Sequence, residues 1–165
     1  MKKNNKGFSL VELIIIIAIM AVLAVSIITY SGMIGNSKAR QCAKEIDSHL
    51  SETKVCAMSR AQAKMIIYAN GNGVYVTTVQ TGRGTETEKI GDKGVKVEYC
   101  QVRGSDTYTT VGTTEDTGVV IEFDRASGAL KKMDNGNYCY GFKITAGDSV
   151  YKVVIEPLTG KTAVR

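Results

Sequence analysis

Glu12 is the residue whose position most needs a chemical reason. From Leu13 to Ser37 the chain carries no charge, and Leu13–Ile28 is apolar except for Ser26, so Glu12 stands at the head of a long apolar run. A carboxylate at the centre of a membrane helix costs about 2.5–3.5 kcal/mol on insertion scales, and less near the interface. Three readings account for it. An ordinary membrane anchor would let Glu12 snorkel to the headgroups, and a secretory signal would be cut after Val22-Leu23-Ala24. In the third, the carboxylate has a cationic partner and a task, because a buried charge is tolerable when paired.

Other groups offer less. His49 is the only histidine in the 165 residues, so Ser-His-Asp or Cys-His catalysis would rest on it alone. It reads as a surface or boundary residue near Glu45 and Glu52. No nucleophile–base pair or phosphate cradle stands out, and the chain is expected to be no enzyme and to need no cofactor or metal. Of the four cysteines, Cys42 and Cys56 are 14 residues apart on one expected helix, about 21 Å, too far for a bridge. Strand parity points Cys100 and Cys139 away from the apolar residues around them. A cross-strand Cys100–Cys139 disulfide, four free thiols and helix-to-sheet bridges all stay open. The net charge of +5 raises nucleic acid as a partner. Lys143, Lys152, Lys161 and Arg165 fall on the last strands and form a candidate stripe. Three of the surplus charges are Lys2, Lys3 and Lys6, however, and the chain from Lys38 onward holds 18 basic against 15 acidic residues. That excess is too modest to require DNA binding.

The run Lys6-Gly7-Phe8-Ser9-Leu10-Val11-Glu12-Leu13 resembles the processing motif of type IV prepilins and pseudopilins. The likeness covers the basic leader, Gly7, Phe8, Glu12 and the apolar stretch through about Tyr30. It implies cleavage between Gly7 and Phe8 by a prepilin peptidase and methylation of the new Phe8 amine. It also implies that Glu12 of an incoming subunit pairs with a neighbour's Phe8 amine and sets filament register. The implied product is a structural subunit of a type IV pilus, type II secretion or competence filament. Its partners would be the prepilin peptidase, other pilin or pseudopilin subunits and an inner-membrane assembly platform. An unprocessed membrane-anchored binding domain and a DNA-contacting minor pilin are the alternatives. Val150–Val164 is similar to the closing hairpin of minor pseudopilin H-like proteins, a short motif. Thr29 stands where many members carry Pro, which predicts a straighter helix through Val25–Met33.

These residues need elements to place them. Phe8–Tyr30 is 23 residues, about 34 Å of helix at about 1.5 Å per residue, enough for a bilayer core of about 30 Å. The lysines before it predict a cytoplasmic N-terminus and an exported C-terminal part, later in an extracellular or periplasmic filament. Ala39, Cys42, Ala43, Ile46, Leu50, Thr53 and Ala57 recur at helical steps and continue the helix as an amphipathic one. Beyond Lys64 the apolar period becomes two, with turns at Asn70–Gly73, Ala126–Gly128 and Pro157–Gly160. Gly82–Gly94 and Arg103–Gly118, rich in Thr, Gly and charge, read either as solvated loops or as a variable surface that contacts neighbours or a ligand. The expected fold is α+β and pilin-like, a long N-terminal helix on an antiparallel sheet. Its segments are a leader at 1–7, a membrane and filament-core helix at 8–37, its amphipathic half at 38–63 and a sheet head at 64–165.

Overall fold

The computed structural model describes residues 9–59 and 62–165, with side chains apart from those of 25–34. Two compact units divide the chain, Met1–Ile34 and Gly35–Arg165. One helix, α1 (Leu10–Ser59), supplies residues to both. It includes Thr29, Gly32 and Gly35 without a break, as expected where no proline removes a ladder hydrogen bond.

In the second unit, α1 buries one face. Ala39, Cys42, Ala43, Ile46, Leu50 and Thr53 are fully buried and Ala57 nearly so, the spacing that places side chains on one side of a 3.6-residue helix. Thr53 joins that apolar face because its hydroxyl donates to the His49 carbonyl at 2.7 Å, leaving no unpaired polar group. Gly35 is required by close approach, since a Cβ there would meet the Ala146 carbonyl oxygen at 2.8 Å. The sequence reading carries this helix to Ala63. It ends at Ser59, and Ala63 already opens the first strand, opposite Gln80.

The covering face meets two antiparallel sheets. The first contains β1 (Ala63–Asn70), β2 (Gly73–Gln80), β3 (Gly84–Asp92) and β6 (Val119–Glu122), in the order β3-β2-β1-β6. The second holds β4 (Lys96–Cys100), β5 (Thr109–Thr110), β7 (Gly141–Ala146), β8 (Ser149–Glu156) and β9 (Lys161–Val164), in the order β5-β4-β7-β8-β9. Alternation decides which face is core. Phe142 and Ile144 of β7 lie opposite or beside Val153 and Ile155 of β8, and all four are buried. Asn70 and Gly73 close the β1–β2 hairpin across a two-residue turn. In the Ala126–Gly128 turn, Asp124 Oδ1 accepts from the Ala126 and Ser127 amides and the Ser127 hydroxyl.

One loop reading is overturned and the other holds in large part. Gly84–Asp92 is no loop but an edge strand, exposed from Gly84 to Lys89. An edge strand with few core contacts needs no apolar alternation, so the hydrophobic signal was missing. Arg103–Gly118 is irregular except for β5 and a short 3-10 turn at Glu115–Thr117. After the Ala126–Gly128 turn, Leu130 pairs with Phe123 in a single antiparallel bridge.

Candidate functional site

Two places carry the residues singled out by the sequence. The first is the start of α1. Gly7 and Phe8, the expected cleavage and methylation residues, lie outside the described residues. Just after them, the Leu13 amide donates to the Ser9 carbonyl at 3.1 Å, so Ser9 opens the helix and Glu12 sits in its first turn. Ser9 and Glu12 have the spacing of a capping box, a signal the sequence reading overlooked. A carboxylate there complements the positive end of the helix dipole. Glu12 is exposed, and so is every large apolar side chain after it from Leu13 to Leu23. Leu10 and Val22 are 74% and 69% exposed, with Ile16 the least exposed at 41%. Such an apolar surface in water demands lipid or other helices as cover. Among the described residues, no helix is long and apolar enough to cross a membrane. The described side chains of the apolar run stop at Ala24.

The second place is the outer face of the five-stranded sheet, turned away from the core residues Phe142 and Val153. Register puts Lys143 directly opposite Lys152, and the Lys152 and Arg165 backbones exchange two hydrogen bonds of 2.8 Å. Three cations therefore stand in a row across β7, β8 and the end of β9. Lys161 shares this face, two strand positions before Ala163 and opposite Glu156. All four candidate basic residues thus share one surface. Like charges directly opposite one another are destabilising. Part of that cost is offset locally, because Lys143 reaches Glu98 at 3.4 Å and Lys152 reaches Asp106 at 3.4 Å. Tyr108 lies beneath both ammonium groups, with ring-centroid distances of 5.2 and 5.6 Å. The Tyr108 hydroxyl, followed by Asp106, holds Lys152 above the usual lysine range. Glu98 is held below the usual carboxylate range, chiefly by its hydrogen bond from Lys96. A cleft of about 390 Å³ opens beside this row, lined in part by Arg103, Asp106, Tyr108 and Glu156.

Sequence reasoning missed Tyr108, Asp106 and Glu98. The missing information was register, although the Gly147-Asp148 turn between β7 and β8 was enough to place Lys143 against Lys152.

The cysteines are four free thiols. Cys100 and Cys139 lie within electrostatic reach of each other without a bridge. Parity placed both away from the core, yet both are buried. Cys100 does sit on the outer face of β4, but the following loop roofs it, and its thiol donates to the Val102 carbonyl at 3.0 Å. Cys139 lies before β7 begins, where strand alternation does not apply. Burial pushes the Cys42 and Cys139 thiols up to about 12. His49 is engaged with Glu88 of β3 at 3.4 Å.

Residues 2–28 match the family model described as the prokaryotic N-terminal methylation motif. The chain carries the class III signal of type IV pilins and pseudopilins. In this pilin-like chain the match covers Gly7, Phe8 and Glu12 and stops well before the closing β8–β9 hairpin, so it is silent on the H-like subgroup. No curated protein and no solved structure matches the chain.

Proposed function

We propose that the chain is a structural subunit of a pilus, secretion or competence filament, not an enzyme. It is made as a precursor, cut between Gly7 and Phe8, methylated on the Phe8 amine and held in the cytoplasmic membrane by its apolar helix. Glu12 then receives the Phe8 ammonium of a neighbouring subunit during assembly through a platform in that membrane. Residues 38–165 face the outside. The observation that carries this reading is the match over residues 2–28. The helix start supports it, because an exposed carboxylate in the first turn is followed by apolar side chains exposed on every side. A first-turn carboxylate at the edge of an apolar surface has both a favourable place in the monomer and a partner to gain in an assembly.

Glu12→Val, expressed beside the wild-type chain with a native prepilin peptidase, tests the pairing. The leader is still removed, while incorporation of the variant into sheared filaments falls at least about tenfold, the equivalent of about 1.4 kcal/mol. Equal incorporation would defeat the role given to Glu12.

A further inference from the structure

The head carries charge of opposite sign on separate surfaces, and on each some groups are left without an internal ion pair. On the five-stranded sheet the cation row ends at the open edge of β9. There, among the described residues, Lys161 and Arg165 have no ion-pair partner, and both are exposed. In the other sheet, β3 is an open edge of the four strands. Glu86 and Glu88 are exposed on one face of it. Glu88 reaches His49 of α1, and Glu45 and Glu52 share that helix face, four residues before and three after the histidine. Among the described residues Glu45, Glu52 and Glu86 also have no ion-pair partner.

We infer that the basic β9 margin, with Lys161 and Arg165, docks on the acidic β3–α1 margin, with Glu52 and Glu86, of a second copy of this chain. Two observations favour a second copy over a nucleic acid. From Lys38 onward the excess is only 18 basic against 15 acidic residues, so the charge is segregated, not surplus. The inner part of the cation row is already engaged by Glu98 and Asp106, which leaves a short basic edge instead of a long polyanion track. A contact between two different surfaces of one molecule is heterologous, and unless its rotation closes a ring it builds an open chain. This inference rests on the filament-subunit reading and adds the head-to-head partner to it.

Charge reversal in the full chain, expressed with its native peptidase and assembly machinery, tests it through the yield of sheared filaments. Lys161→Glu with Arg165→Glu lowers that yield at least about tenfold, as does Glu52→Lys with Glu86→Lys. Combining all four reversals restores most of the loss, which also shows that the variants fold. Wild-type yield from both paired variants would overturn the docking while leaving the subunit reading intact. A four-fold variant no better than either pair, with each still folded by its thermal transition, would overturn it as well. So would a salt-dependent DNA shift lost with Lys161→Glu and Arg165→Glu while filament yield stays unchanged, which would assign the margin to nucleic acid. If the wild-type chain forms no filament in that host, the subunit reading falls and the docking with it.

Discussion

The two halves of α1 are both rich in apolar residues, yet they do opposite things with them. From Leu10 to Leu23 the large side chains are exposed all round, whereas Ala39–Ala57 presents a single buried stripe with charged residues beside it. The difference is period. Without a polar face, a helix has no preferred direction in which to pack on a sheet. With a polar face, it has one direction only, and the two sheets of the head supply the cover. Hydrophobic content alone does not separate a helix that builds a domain from one that joins an assembly.

The largest expected effect exploits this contrast. Leu50→Ala or Ile46→Ala removes a fully buried side chain and destabilises the head by about 2–5 kcal/mol. Ile16→Ala, at an exposed site of the first half, shifts head stability by no more than about 0.5 kcal/mol. Denaturant unfolding of the detergent-solubilised chain, followed by head-domain signals, reads both. Comparable losses would erase the distinction between the halves.

A smaller effect comes from Gly35, where the second half begins. Gly35→Ala forces a Cβ against the Ala146 carbonyl, and overpacking of about 1–3 kcal/mol outweighs a helix-propensity gain of about 1 kcal/mol. Gly71→Ala, in the open β1–β2 turn with nothing near its Cβ, serves as the neutral reference. Thermal transitions of the two variants should differ, with Gly35→Ala the lower.

Buried thiols give a pH-dependent contrast within the head. Burial raises Cys42 and Cys139 from 9.0 to about 12, so their contribution to stability is full below about pH 9 and declines as pH rises toward 12. Alkylation of the native protein at pH 8 should modify half-buried Cys56 first, with Cys42 and Cys139 reacting only after unfolding. Early modification of Cys139 would show that its cover opens readily. The smallest effect belongs to the surface pair Lys131–Glu122, 3.1 Å apart and well exposed. Lys131→Ala should cost at most about 1 kcal/mol, and less in high salt.

Periodic hydrophobicity made much of the fold legible. The stripe Ala39–Ala57 read as the buried helix face is that face, and the Asn70–Gly73 turn closes its hairpin. What stayed hidden had no such signal. β3 is polar on both faces from Gly84 to Lys89 because it lies at a sheet edge, and the division into two sheets depends on pairings between distant strands. At the N-terminus the motif Lys6–Leu13 was legible from residue order alone, because it is a linear signal that requires no tertiary contact. The cation row was legible as composition but not as geometry. Only register brings Lys143, Lys152 and Arg165 into line, and only the 101–108 loop brings Tyr108 and Asp106 to them. Cys100 misled for the same reason, since parity gives the face of a strand but not what a later loop lays over it.

On the proposed function, the apolar half of α1 belongs to a processed filament subunit. Intact mass of the chain extracted from membranes of a host with its own prepilin peptidase tests this most directly. The expected mass lacks Met1–Gly7 and carries one additional methyl group on Phe8. A full-length mass would contradict it and leave a simple anchor, and loss through Ala24 would contradict it in favour of ordinary secretion.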